Sequence, residues 1–288
     1  MAVIDSHVHV WDLERAHYDW PDGSVPEIFR SIGLDEVRPS LAAAGVDRVV
    51  LVQAADDPDD TATMLRTADR HDEVAGIVAY APLERPQEAH DRLVELRRDP
   101  RVVGVRTLIH DQPDPDWILR PDVDEGLGVL EALGVPFDYV AVLPRHLEHL
   151  PALAERHPSL RIVIDHLAKP PIGDPGSARW PGDTWSVLMA RAAENPLLSA
   201  KVSGLYSATA DAASWTQDQV RPFVEEAHRL FGPDRLLYGG DWPVSLTAGG
   251  YARCFDALSG IFADWPAADR AAVLGDNARR FYGLPAED

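Results

Sequence analysis

The chain has 288 residues, 45% hydrophobic and 26% charged, a globular composition and a length that suits one large barrel or two ordinary domains. Its net charge of −20, from 47 acidic against 27 basic residues, repels phosphate backbones and argues against a nucleic-acid partner. No apolar run reaches the ~18 residues of a membrane span, the start lacks a basic signal-peptide region, and the single cysteine, Cys254, excludes an intrachain disulfide and a Cys-based zinc site. A cytoplasmic protein with no membrane partner is expected.

The first strand is read in "AVIDSHV", which runs into "IDSHVHVWD" at residues 4–12. An extended chain sends alternate side chains to opposite faces, which predicts Asp5, His7 and His9 on one face and Ile4, Ser6 and Val8 on the other. Further β-branched apolar runs follow at 47–53, 74–83, 102–110, 135–142, 160–167, 197–205 and 235–244. Their near-continuous hydrophobicity suits parallel strands covered on both faces. Leu and Ala mixed with charges at 85–99, 143–158 and 216–232 read as helices between them. Two more helical stretches, at 251–263 and 266–284, follow the last run. Eight βα units in a chain of this length predict an α/β protein, a single-domain (β/α)8 TIM barrel over residues 1–288. The alternative is an open doubly wound sheet, but no GxGxxG follows the first strand.

Barrel enzymes place their chemistry at the C-terminal ends of the strands. The first strand ends in His7 and His9, and the second in Gln53. The fourth carries Arg106 and His110, whose even separation predicts one shared face. The fifth holds Asp138, and the sixth ends at His166, with Lys169 just beyond. The seventh carries Lys201 and Ser203 ahead of Tyr206. The eighth ends in "YGGDWP", where two glycines let other groups approach Asp241 closely. Each polar residue taken singly also reads as a group that satisfies loop backbone, and Lys201 as a buried partner for a carboxylate. Three histidines and an aspartate together point to a site.

"DSHVHVWD", "DHLAKP" and "GGDWPV", in that order, resemble the amidohydrolase superfamily. Within it they are similar to the amidohydrolase-related group of L-fuconolactonase- and L-rhamnonolactonase-like sugar lactonases and 2-pyrone-4,6-dicarboxylate lactonases. "GVRTLIHDQPDPDWILRP" and "NARRFYGL" carry the likeness over nearly the whole chain. The resemblance implies a (β/α)8 barrel that hydrolyses a cyclic ester. Binuclear members bridge two metals with a fourth-strand lysine or glutamate and use a fifth-strand histidine, where this chain has Arg106 and Asp138. A protonated guanidinium has no lone pair for a metal, so two metals are not expected. Either no cofactor is required or a single divalent ion, zinc, is held by His7, His9 and Asp241.

On this reading Asp241 activates water and then protonates the leaving ring oxygen. His7, His9 and His166 are donors to the carbonyl oxygen. Gln53, Arg106, His110, Asp138 and Lys169 bind hydroxyls, and Trp117 and Trp242 form an apolar wall. One strand-end arginine, with Lys169 and Arg145 nearby and acids alongside, fits a neutral sugar lactone better than a dicarboxylate. The competing readings are a metal-dependent decarboxylase of the same superfamily, a dicarboxylate lactonase, and a non-catalytic barrel that binds sugar acids. Oligomeric state is not legible.

Overall fold

Eight parallel strands pair in chain order: β1 (Val3–Val8), β2 (Val46–Val52), β3 (Val74–Tyr80), β4 (Val102–Arg106), β5 (Phe137–Tyr139), β6 (Ile162–Ile164), β7 (Leu198–Val202) and β8 (Leu236–Tyr238). This computed structural model describes residues 2–174, 176–209 and 211–285. A parallel bridge from Val8 to Trp242 brings the far end of β8 back to β1. The architecture is the (β/α)8 barrel that alternating β-branched and amphipathic segments require. Among the described residues no helix is long and apolar enough to cross a membrane.

Helices α1 (Arg38–Ala44), α2 (Pro58–Ala68), α3 (Pro86–Leu96), α4 (Pro121–Leu133), α5 (Pro144–Arg156), α6 (Thr184–Ala193), α7 (Gln217–Phe231) and α8 (Tyr251–Phe262) surround the sheet. Proline opens the first turn of α1 to α5, where its missing N–H is not needed. Thr216 and Gln219 form a reciprocal cap on α7. Left-handed Gly45 and Gly134 end α1 and α4 and turn the chain at once toward the next strand. The expected helix at 266–284 is divided: Ala267–Ala271, a π-helical turn at Ala272–Asp276, then Asn277–Tyr282.

The barrel interior is small and aliphatic at its N-terminal end. Ile4, Val50, Val52, Val78, Val163 and Leu237 meet there, and Ala278, Phe281 and Tyr282 from the C-terminal helix close it off. Two larger clusters lie between strands and helices. The closed end leaves the opposite, C-terminal rim as the place where polar side chains converge.

The simple alternation expected for β1 breaks. Asp5 pairs with Val49 and Val8 with Leu51, so three steps on β1 match two on β2, the signature of a bulge. Ile4 and His7 therefore both face the interior. Asp5 faces outward and accepts a hydrogen bond from Tyr251 Oη of α8 at 2.8 Å. It does not share a face with His7.

Candidate active site

The seam between β1 and β8 sets the centre of the site. His9 N–H donates to Trp242 O at 2.7 Å and Asp241 N–H to His7 O at 2.8 Å. The buried Asp5 carboxylate accepts from the amides of His7 (3.0 Å) and Gly240 (2.8 Å), locking the two segments together from behind. Gly239 is required by this closeness, since a Cβ there would lie 2.6 Å from His7 Cβ. As a result His7 Nε2, His9 Nε2 and Asp241 Oδ1 lie 3.2, 3.4 and 3.8 Å from one another.

Proton placement distinguishes the imidazoles. His9 Nδ1 is 2.7 Å from Val52 O, and a carbonyl only accepts, so neutral His9 carries its proton on Nδ1 and turns a lone pair on Nε2 toward Asp241. It is an acceptor toward the site, not the expected donor. His166 Nδ1 is 2.9 Å from Ser203 Oγ. The Ser203 hydroxyl can donate to Nδ1, the arrangement in which His166 presents Nε2–H to the site.

His166 opens a strained turn in which His166, Leu167, Ala168 and Lys169 all have φ between +48° and +59°. Each such non-glycine residue costs roughly 1–2 kcal/mol, a sign that surrounding structure over-determines the turn. Trp185 Nε1 and Trp180 Nε1 provide that support, donating to the carbonyls of Leu167 (2.7 Å) and Lys169 (2.9 Å). Gly204 faces the same point. A Cβ on it would come within 2.6 Å of His166 Nδ1 and closer still to Asp241.

Beneath these groups lies a buried ionic floor. Lys201 Nζ contacts Asp138 Oδ2, Asp165 Oδ1 at 3.2 Å and His7 Nδ1 at 3.0 Å. Tyr282 Oη also donates to Asp138. Arg106 pairs with Asp165 Oδ2 at 3.1 Å and donates to Gln53 O. Gln53 Nε2 bonds Arg106 O and Asp56. Asp138 and Gln53 are thus fully buried braces.

A cavity of about 780 Å³ opens above this floor and is lined by six of the expected residues, His9, Arg106, His110, His166, Lys169 and Asp241. His110 reaches it from a 3-10 turn (Ile109–Asp111) past the end of β4, not from a shared strand face. The expected tryptophan wall is corrected. Trp117 packs into the core beside α4 and α5, and Trp242 packs beside Val8 and Tyr251. Trp11 and Trp20 line the cavity instead, their ring centroids 6.1 Å apart. Arg145 pairs on the surface with Asp116 (2.6 Å) and Glu148 (3.1 Å). Sequence reading also missed the acidic rim of Asp19, Asp56, Asp57 and Asp111. The "DDPDD" run at 56–60 was its only signal.

Burial and charge set the protonation states. Burial would raise the Asp241 pKa, but His166, His9 and His7 outweigh it and hold the carboxyl well below the usual range. Burial lowers His166 to about 4 and His110 to about 3. It also drives His7 far down, aided by Lys201. Near neutral pH the site is therefore one carboxylate among neutral imidazoles.

The donor set also bears on a metal. Zinc bonds of about 2.0–2.2 Å in tetrahedral geometry place ligand atoms roughly 3.3 Å apart. The separations among His7, His9 and Asp241, with an unprotonated His9 Nε2, fit one such ion. Arg106 Nη1, 3.3 Å from His7 Nε2, is a fixed positive charge that weakens its hold. A second grouping of His7, Asp138 and Asp165 is within ligand reach, but the Lys201 ammonium contacts all three and stands where a second cation would.

Comparison with known proteins identifies the family. The family model described as Amidohydrolase matches residues 4–284. An L-fucono-1,5-lactonase of Burkholderia ambifaria is 36% identical over 98% of this chain and 95% of its own length. An amidohydrolase from Burkholderia multivorans, solved with bound zinc, superposes with a TM-score of 0.88 at 27% identity, covering 99% of this chain and 100% of its own. A probable 2-pyrone-4,6-dicarboxylic acid hydrolase from Acinetobacter baumannii, at 20% identity and a TM-score of 0.77 over 99% of this chain and 100% of that one, shares the fold.

Proposed function

Because the chain belongs to the amidohydrolase family, we propose that it is a hydrolase that opens a neutral sugar lactone to the sugar acid. The observation that carries this reading is a buried carboxylate, Asp241, 3.4 Å from the unprotonated Nε2 of His9. Two acceptors this close can take a proton from one water molecule bound beside them, whose oxygen attacks the lactone carbonyl while its proton passes to the pair. Once the tetrahedral intermediate forms, the ring C–O bond breaks and the leaving oxygen takes that proton back. His166 Nε2–H supplies a donor for the carbonyl oxygen. Such acid–base work is worth typically 10²- to 10⁴-fold.

Charge selects the substrate class. The cavity carries two cations, and Arg106 is already committed to Asp165 and Gln53 O. Asp19, Asp56, Asp57 and Asp111 surround them. A dicarboxylate would need two free cations and would face this acidic rim. Hydroxyl groups suit such acceptors, and Trp11 and Trp20 offer apolar surface to ring C–H groups. The lactonase relative makes L-fucono-1,5-lactone the first compound to try.

If a divalent ion is bound, His7, His9 and Asp241 would hold it, and it would supply Lewis acidity. The decarboxylase reading has weaker support, since solved decarboxylases such as the 2,6-dihydroxybenzoate enzyme share the fold at only 18% identity.

The test is acid release from L-fucono-1,5-lactone, followed with a pH indicator. Wild type should turn it over well above the spontaneous rate, and Asp241→Asn should lower kcat by at least ~10²-fold with the fold intact. A folded Asp241→Asn protein with near-normal turnover would remove Asp241 from the mechanism.

A further inference from the structure

Lys169 ends the strained turn after β6, with φ +51°, and lines the cavity. Two ties hold its backbone: Trp180 donates to its carbonyl at 2.9 Å, and its own amide donates to His166 O at 2.8 Å. Its ammonium, in contrast, makes no hydrogen bond or ion pair with any described residue. The charges that act on it are Asp241 and Asp111, which attract it, and Arg179 and Arg106, which repel it. Arg106 is spoken for, so among the described residues Lys169 is the uncommitted cation of the cavity. A neutral lactone offers it no charge to meet.

The reaction itself creates that charge. When the oxygen of water bonds to the carbonyl carbon, the π electron pair moves onto the carbonyl oxygen. When the pair returns and the ring C–O bond breaks, the acid that forms ionises to a carboxylate. A fixed donor that meets charge only after the ground state stabilises the transition state more than the substrate. We propose that Lys169 is a further catalytic residue, which stabilises the tetrahedral oxyanion and then holds the product carboxylate. It donates N–H hydrogen bonds throughout and forms no covalent bond. The proposal rests on the lactone-hydrolysis reading above.

Calorimetry of the wild-type enzyme with L-fuconate and with its neutral amide provides one test, which needs no variant. L-fuconate should bind at least about tenfold more tightly, since the two differ only in the charge of the group that Lys169 would meet. In Lys169→Met, kcat for the lactone should fall about 10²-fold or more, while KM stays within about threefold and the preference for L-fuconate over the amide disappears. Lys169→Arg should restore that preference. Equal wild-type binding of acid and amide, or a variant in which KM alone rises, would overturn the proposal while leaving lactone hydrolysis standing. A wild-type enzyme that opens no lactone overturns both.

Discussion

Burial keeps His166 neutral near neutral pH, and the Asp241 carboxyl lies below its usual range because the facing imidazoles, once charged in acid, hold it ionised. The pH dependence follows. With His166 at about 4 and Asp241 lower still, kcat/KM should be flat from about pH 6 to 8 and fall only as the pH drops toward 4. An acid limb at about 6 to 6.5 that persists when Asp56, itself raised to about 6 by burial, is replaced by Asn would show that His166 is not buried as described. Stability moves the same way. Unfolded His166 takes a proton near its ordinary value and the folded residue only near 4, so between them the unfolded state binds more protons and stability falls on acidification. His7, His9, His166 and Asp241 were legible in the sequence because strand ends of a barrel converge on one rim. The tryptophans were not: whether an indole faces the cavity or the helices is decided by loop packing, which put Trp20 and an edge of the buried Trp11 on the cavity wall and Trp117 and Trp242 off it.

At the level of elements, the β1 bulge and the β6 turn do the positioning. The bulge brings His7 inward and sends Asp5 outward to the amides of His7 and Gly240, and period-two reading of the sequence cannot see an inserted residue. The turn after β6 holds four positive φ angles without a glycine among them, so nothing in its composition announced it. Gly204, on the loop after β7, faces His166 of that turn and Asp241, with φ +56°. Gly204→Ala adds left-handed strain and a methyl group wedged against His166 and Asp241. We expect a loss of roughly 1–3 kcal/mol in stability and at least about tenfold in kcat, read by thermal denaturation and lactone turnover. Full activity in that variant would mean that His166 and Asp241 tolerate displacement, contrary to the close packing described here.

Across the whole molecule, one barrel was legible from eight apolar runs separated by helices, but the cross-barrel ion pairs were not. Lys201 of β7 reaches Asp138 of β5 and Asp165 beyond β6, residues that are distant in sequence and meet only on closure. A fixed ammonium there predicts no more than one zinc per chain by elemental analysis after dialysis against zinc. Two per chain would show that Lys201 does not fill the second position. The same closure surrounds one cation that is uncommitted among the described residues with a rim of carboxylates, and this arrangement underlies the central claim that the substrate is a neutral lactone. Its most direct test is kcat/KM for L-fucono-1,5-lactone and related neutral aldonolactones against 2-pyrone-4,6-dicarboxylate in one buffer. The account predicts that the neutral lactones lead by at least about tenfold, and a dicarboxylate in first place would contradict it.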